Sequence, residues 1–451
     1  MANSRNSPPA DTGDAIGSVH AALAAAVTGH AESGARLAIA LSGGIDSMVL
    51  LDAACAVAAD RGIELAAIHV HHGISPNSDR WAAFCAGECA ARGVPLAVER
   101  LELRRERGSS LEAQARKLRY ERLRRSDADL IALAHHADDQ AETLLLQLLR
   151  GAGPQGLAAM APFAAGRPAF LRPLLGLSRD ALVAYARLRG ISWIEDESNA
   201  DRRYARNFIR HEIAPLLRQR FPGYPAPLLR AASHQAEAAG LADDLATLDA
   251  RGAIDSGGLA RARLAELAPA RARNLLRWYL RGKGLRSPSE ARLADMLRQL
   301  LAAADDARIR IELDGAEIGR HRGRIAVHAP TVGSCLRIWS GEPEVALPGG
   351  MLAFEAASGT GIAAAKMVRK SVTLRSRAGG ERIRLAANRP TRAVKKLLQE
   401  AGMPQWEREA LPLVWAGDEL VAVPGIGVAL AFQAAPGEAS WRIEWRPATP
   451  A

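Results

Sequence analysis

Three short stretches hold the residue types from which a reaction could be built. The first is Ser42-Gly43-Gly44-Ile45-Asp46-Ser47, between an apolar run at 36–41 and a helical pattern. A strand turning through Ser42, Gly43 and Gly44 into a helix aims backbone N–H groups and hydroxyls at an anion. Paired glycines let backbone approach a phosphate closely. Neither the Lys-Ser/Thr pair of a Walker loop nor a GxGxxG dinucleotide loop is present. Asp46 beside an anion is repulsive unless Mg²⁺ bridges its carboxylate and a phosphate, so the pattern predicts a magnesium–nucleotide site. A strand-to-helix turn capped by serine is the plainer reading.

The second stretch runs from His135 to Thr143 and contains Asp138, Asp139 and Glu142. Asp139 and Glu142, three apart, share one face of the following helix, and together could grip an ammonium group or a metal. Acidic residues in a first helical turn also favour the helix dipole with no further role. The third is Arg206-Asn207-Phe208-Ile209-Arg210, whose two arginines lie one turn apart and suit a polyanion or a nucleotide phosphate. Ser109 to Glu112 reads as a capping box that opens a helix placing Arg116 and Arg119 on one face. His69, His71, His72, His135 and His136 resemble metal ligands. Adjacent strand histidines point to opposite faces, however, which argues against zinc. Cys85 and Cys89 read as core, since nothing basic close by in sequence would activate a thiol.

The elements around these stretches alternate. Apolar strand-like runs and helical patterns repeat from residue 35 to about 150, which predicts an α/β fold with a parallel, doubly wound sheet. Ligands then belong beyond the carboxyl ends of the strands. Ser178 caps a further helix that Gly190 stops. The organisation expected is a flexible N-terminal extension at 1–30, an α/β domain at 31–222 that carries all three stretches, a mainly helical domain at 223–330, a linker at 331–365 and a small basic α+β domain at 366–451. Of 451 residues, 48% are hydrophobic, enough to bury several cores. No long apolar run predicts a membrane span, and four cysteines are too few to staple the chain, so a soluble cytoplasmic protein is expected. The net charge of +10 is uneven: between Lys366 and Glu400, eleven Lys/Arg stand against two Glu. Arg392, Lys395 and Lys396 belong to this basic stretch, which predicts a polyanionic partner.

SGGxDS after a strand is similar to the signature of the PP-loop ATP pyrophosphatases. That resemblance implies ATP attacked at its α-phosphorus, releasing pyrophosphate. Taken in order, ALSGGIDSMVLL, HVHHGISPNSD, EAQARKLRYERL, LAHHADDQAETLLLQLLRGAGPQGLAAM, WIEDESNADRRYARNFIRHEIAPLL and LPLVWAGDELVAVPGIG resemble the tRNA(Ile)-lysidine synthetase family. The resemblance implies ligation of L-lysine to C2 of the wobble cytidine in the CAU-anticodon isoleucine tRNA, through an adenylated cytidine. It implies ATP held by Ser42 to Ser47, Mg²⁺ served by Asp46, lysine held by Asp139 and Glu142, and Arg119 and Arg210 near the activated intermediate. Arg206, Arg392, Lys395 and Lys396 are then expected on the tRNA, and a homodimer is left open. Two alternatives stand beside it: a PP-loop tRNA thiolase, disfavoured because the chain has no CxxC, and a noncatalytic RNA-binding protein with a relict nucleotide fold.

Overall fold

The computed structural model describes residues 14–32, 34–73, 75–103, 111–195, 197, 201–302, 309–330, 333–368 and 370–448. It divides into two compact units, Met1–Gly240 and Leu241–Ala451. No helix among the described residues is long and apolar enough to cross a membrane.

The first unit runs α1 (Ala15–Thr28), β1 (Arg36–Ala40), α2 (Ile45–Arg61), β2 (Glu64–His71), α3 (Ser78–Ala91), β3 (Leu96–Arg100), α4 (Leu111–Arg124), β4 (Leu130–Ala132), α5 (Ala137–Leu149), α6 (Pro154–Leu157), β5 (Phe163–Ala164), β6 (Ala169–Leu171) and α7 (Arg179–Leu188). Its strands form one sheet in the order β3-β2-β1-β4-β6-β5, parallel except for the edge strand β5. Alternation along β1 fills both faces. Leu37, Ile39 and Leu41 join a core built with α1, α2 and α7, while Ala38 and Ala40 join Leu123 of α4 and Phe170 on the other face. This is the doubly wound sheet expected from the alternating pattern. The chain leaves β1 for β2 and β3 on one side and returns to β4 on the other. The carboxyl ends of β1 and β4 therefore flank the point where the strand order reverses, which is where open sheets of this kind bind ligands.

The N-terminal segment departs from expectation. Instead of a flexible extension to residue 30, Ala15–Thr28 is a helix, with Asp14 accepting from the Gly17 N–H and Val19, Leu23 and Val27 buried in the main core. Alanine fills the intervening positions, so the stripe of three larger residues at four-residue spacing is too narrow to stand out in sequence. Residues 1–13 of that expected extension, and Ser109 and Ser110 of the expected capping box, lie outside the described residues.

After α7 come α8 (Ala205–Phe208), a π-helical turn (Ile209–Ile213), α9 (Ala214–Arg220) and α10 (Pro225–Ala250). Ser178 caps α7 by accepting from the Ala181 N–H at 3.2 Å, and Gly190 beyond it has φ +63. The second unit continues with β7 (Ile254–Asp255), β8 (Gly258–Ala260), α11 (Arg261–Glu266), α12 (Pro269–Gly282), α13 (Glu290–Ala302), β9 (Arg310–Leu313), β10 (Ala316–His321) and β11 (Arg324–His328). The expected helical character is thus joined by a five-stranded antiparallel sheet, β7-β8-β11-β10-β9, whose apolar face packs with the helices around Leu275, Leu276 and Met296.

Residues 331–365, expected as a linker, instead supply β12 (Leu336–Trp339), β13 (Glu344–Leu347), β14 (Gly350–Ser358) and β15 (Ile362–Ala363). They are followed by α14 (Ala364–Met367), β16 (Val372–Ser376), β17 (Arg382–Ile383), β18 (Arg392–Ala393), α15 (Val394–Glu400), α16 (Gln405–Ala410), β19 (Pro412–Ala416), β20 (Glu419–Val423), β21 (Gly427–Val428) and β22 (Ala439–Pro447). β12 pairs with β16, and β14 with β22 from Gly350↔Pro447 to Ser358↔Ala439, so the early strands are completed by partners far along the chain. Pairing at that range leaves no local signal.

Candidate active site

The loop after β1 is held in shape by its own side chains. Ser47 Oγ accepts from the N–H groups of Ser42 and Gly43 at 3.2 and 3.1 Å and donates to the Gly44 carbonyl at 2.9 Å. Gly43 has φ +85, and its carbonyl accepts from Ile194 N–H at 3.0 Å. A Cβ there would lie 2.5 Å from Ile194 Cδ1, so both backbone and packing demand glycine. Gly44, by contrast, has only Ser42 Oγ near its missing Cβ, at 3.6 Å, which leaves one flank of the loop open to a close approach. With the Ser42 and Gly43 amides engaged by Ser47, the donors left for an anion are those of the first turn of α2, where Ile45 and Asp46 sit.

The loop after β4 faces it. His136 caps α5: its Nδ1 accepts from Asp139 N–H at 3.4 Å, while Asp139 Oδ2 accepts from His136 N–H at 3.1 Å. On its other side His136 Nε2 lies 3.6 Å from Asp46 Oδ2 and 3.4 Å from Asp139 Oδ2. One imidazole therefore ties the two motifs together. Burial works against its charge, but the hydrogen bond to Asp46 and the fields of Asp139, Asp46 and Asp138 outweigh it and hold its pKa above 6.5. Asp46 Oδ1 is buried and has no hydrogen-bond partner among the described residues. A buried carboxylate oxygen without a hydrogen-bond partner is a candidate ligand for a cation.

The paired carboxylates carry the densest charge in the unit. Asp139 Oδ1 accepts from Arg206 Nη2 and Arg210 Nη2, both at 2.9 Å. Glu142 accepts from Arg206 Nε at 2.8 Å, and from Arg210 Nε and Nη2 at 2.7 and 2.9 Å. Two anions and two cations thus form one closed cluster. Burial opposes the Asp139 charge, yet His136, Arg206, His135 and Arg210 hold its pKa below the usual carboxylate range. Burial likewise works against the Arg210 charge, and Glu142, Asp139 and Asp46 overcome it. Asp138 is engaged elsewhere, accepting from Arg179 N–H at 2.9 Å and from Arg218 Nη2 at 3.0 Å, which ties α5 to α7 and α9.

Asp139, Arg206 and Arg210 border a chamber of about 480 Å³ that Ser42, Arg119 and His135 also line, with the carboxyl end of β2 along one wall. Arg119 of α4 has no carboxylate partner among the described residues, and burial pulls its pKa down, Tyr120 opposing and Arg116 adding. A partly buried guanidinium with no carboxylate partner among the described residues makes the chamber receptive to an anion. His69 also borders it, with Nδ1 2.9 Å from the Leu41 carbonyl oxygen; that contact makes Nδ1 the protonated nitrogen. The bridging role of His136 is a residue that sequence reasoning missed. Its His-x-x-Asp spacing at a helix start is the signal that could have found it.

Neighbouring His135 behaves oppositely. Burial, with Arg172, Arg119 and Arg206 adding and Asp139 opposing, pushes its pKa down to about 3. The unfolded imidazole titrates near about 6.5, so below that pH the unfolded chain binds a proton the folded one refuses. Stability from this group is complete above the unfolded pKa and is lost as pH falls toward the folded one. His135→Gln is expected to flatten the acid-side fall in thermal midpoint between about pH 6.5 and pH 4. Scanning calorimetry giving the same slope for both proteins would contradict a neutral His135.

The second unit holds the basic residues named from sequence. On α15, Val394, Leu397 and Leu398 are buried while Lys395 and Lys396 are exposed. Arg392 pairs with Glu400, which masks its charge. Arg206, expected on tRNA, instead has its guanidinium committed to Asp139 and Glu142.

Comparison with known proteins matches three family models: a PP-loop domain over residues 18–217, a TilS substrate binding domain over 259–326 and a TilS substrate C-terminal domain over 372–445. The chain is 43% identical over 423 residues to the tRNA(Ile)-lysidine synthase of Nitrosomonas europaea, covering 92% of each. It is 43% identical over 420 residues to that of an Azoarcus species, covering 92% of this chain and 93% of the relative. Among solved structures, the U34-tRNA thiolase NcsA of Methanococcus maripaludis aligns with a TM-score of 0.45 at 16% identity, over 50% of this chain and 80% of that one.

Proposed function

The chain belongs to the tRNA(Ile)-lysidine synthase family, and from that premise we propose how its residues carry the family's reaction. The enzyme uses ATP to join lysine to C2 of the wobble cytidine of the CAU-anticodon isoleucine tRNA, releasing AMP and pyrophosphate. Codon reading changes from AUG to AUA. The observation that best supports this reading is that the phosphate loop and a charge-balanced Asp139–Glu142–Arg206–Arg210 cluster lie at the carboxyl ends of two adjacent strands, Asp46 and Asp139 joined through His136.

ATP places its phosphates along Ser42 to Ser47, where the open flank of Gly44 admits them and the first turn of α2 meets their charge. Asp46 is the residue that would hold Mg²⁺. Among the described residues no three metal-ligating side chains converge, so the protein itself would supply few of the ligands. When bound, Mg²⁺ lowers the charge on the phosphates and eases the departure of pyrophosphate. The cytidine O2 attacks the α-phosphorus, and Arg119 faces the negative charge that develops there. Without adenylation, O2 is a very poor leaving group.

Lysine brings its ε-ammonium to Asp139 and Glu142. An ammonium carries the same charge as the guanidinium it displaces, so the cluster stays neutral while Arg210 is released toward the activated intermediate. One carboxylate then takes a proton, because only the neutral amine is nucleophilic. The amine attacks C2 and AMP leaves. Sulfur transfer has no support here. Burial, with Cys89 and Glu88 adding, pushes the Cys85 thiol up to about 12, and burial takes Cys89 to about 11 against the field of Arg92, so neither is a thiolate near neutrality.

Reaction with ATP, lysine and the CAU tRNA, followed by mass analysis of the wobble nucleoside, is expected to show addition of lysine. Pyrophosphate release without that addition would remove lysine as the nucleophile. Absence of any release would remove adenylation itself.

The exposed Lys395 and Lys396 hold tRNA backbone away from the anticodon. Lys395→Ala with Lys396→Ala is expected to weaken tRNA binding and to lower the slope of log K against log salt by about two, sparing ATP binding. An unchanged slope would contradict that assignment.

A further inference from the structure

An aromatic ring that lines the chamber, and a second one four residues on, have no ring or cation partner among the described residues. Tyr204 immediately precedes α8, is 39% exposed and lines the chamber together with Arg206, Asn207 and Arg210. Phe208, four residues on, is 47% exposed, and its N–H donates to the Tyr204 carbonyl at 2.9 Å. Among the described residues, neither ring stacks on another ring or under a cation, whereas Tyr120 on the chamber wall packs against Phe170 and beneath Arg116. A large exposed ring has a solvation cost that burial against a ligand would relieve.

The surroundings say which ligand. Arg202 and Arg203 lie just before Tyr204 and, among the described residues, pair with an exposed or part-exposed acid, Glu212 and Asp201 respectively. Aromatic rings interleaved with arginines suit unpaired nucleotides, because every base has a π-face and every linkage a phosphate. We propose that Tyr204 is the stacking platform for the reacting pyrimidine of the RNA acceptor and that Phe208 stacks the adjacent loop base. This rests on the acceptor being the tRNA wobble cytidine, and it adds the groups that position its ring.

The assignment explains how one base is presented to the α-phosphate. A loop nucleotide must leave its stack to enter an enclosed site, at a cost that a ring already standing at the entrance offsets. Tyr204 is two residues from Arg206, which binds both Asp139 and Glu142, so the platform and the carboxylate cluster are parts of one short segment. A base seated on Tyr204 is thereby registered against the place where lysine is held.

Steady-state kinetics on Tyr204→Ala, Tyr204→Leu and Tyr204→Phe test this, with tRNA carrying the fluorescent analogue pyrrolocytosine at the wobble position as a second readout. Tyr204→Ala and Tyr204→Leu are expected to raise KM for tRNA about tenfold, the lower-middle of the range for loss of one stacked base. KM for ATP and the thermal midpoint stay at the parent values. Tyr204→Phe recovers most of the tRNA affinity. Pyrrolocytosine fluorescence is quenched on binding to the parent and to Tyr204→Phe, and unquenched with Tyr204→Ala. Phe208→Ala gives a smaller rise in KM. If the parent makes lysidine and Tyr204→Ala binds tRNA and quenches like the parent, the stacking role is overturned. Equal loss in Tyr204→Phe and Tyr204→Ala overturns it too, by pointing to the hydroxyl. A parent protein that makes no lysidine defeats the functional reading instead, a separate outcome.

Discussion

Asp46→Asn is expected to lower tRNA-dependent pyrophosphate release at least a thousandfold, about 4 kcal/mol in the barrier. Asparagine keeps the shape of the side chain at the start of α2, so the loss isolates charge. Two consequences follow from its removal. A neutral amide is a poor ligand for a hard cation, so the Mg²⁺ that Asp46 is proposed to hold is lost first. His136, whose raised pKa depends in part on the hydrogen bond and field of Asp46, also loses part of what raises it. Its stabilising interaction, full below the ordinary imidazole pKa and lost as pH rises through the raised one, therefore shrinks from the alkaline side. Pyrophosphate release measured across a magnesium titration, together with a pH series of thermal midpoints, reads both. A variant retaining more than about a tenth of parental turnover at saturating magnesium would show that the carboxylate is dispensable to activation.

The fold around that residue is largely legible in sequence because it is written locally. Strand, glycine turn and helix follow one another within twenty-six residues at 36–61, and β1 shows its burial on both faces as an unbroken apolar run. Asp139 and Glu142 likewise share a face because three residues of helix separate them. What meets that face is a different kind of fact. Arg206 and Arg210 reach the two carboxylates from 64 to 71 positions away, and local spacing says only that the arginines are on one side of their own turn. They read as ligands for a polyanion because exposed arginines commonly are, and the structure has them neutralising buried acids. The orphaned oxygen of Asp46 is similarly invisible in sequence, since an unmet hydrogen bond depends on everything around it. β12 illustrates the reverse failure: Leu336 and Ile338 are exposed, so no dry face marks the strand, and only its pairing with β16 does.

The second large effect belongs to Glu142→Gln, where stability and lysine use should separate. Glu142 is 3% exposed, and its two oxygens accept three guanidinium hydrogen bonds. Glutamine preserves volume but turns one acceptor into a donor that faces another donor, and it leaves two arginines sharing the single charge of Asp139. Breaking a buried pair from one side costs roughly 3–5 kcal/mol. The Arg206 and Arg210 side chains are 25% and 31% exposed, so water screens part of the loss and about 3 kcal/mol is expected. Chemical denaturation checks that figure. The functional consequence is sharper than general weakening. The residues proposed for adenylation, the phosphate loop with Asp46 and Arg119, make no hydrogen bond to Glu142 among the described residues, so pyrophosphate release in the absence of lysine should survive in the folded fraction. Transfer of lysine should fall at least a hundredfold, about 2.7 kcal/mol, with KM for lysine raised. If the variant is destabilised yet uses lysine with the parental KM, Glu142 is a structural anchor for Arg206 and Arg210 and the ammonium is held elsewhere. If both half-reactions fall by the same factor, the cluster serves activation rather than the choice of nucleophile.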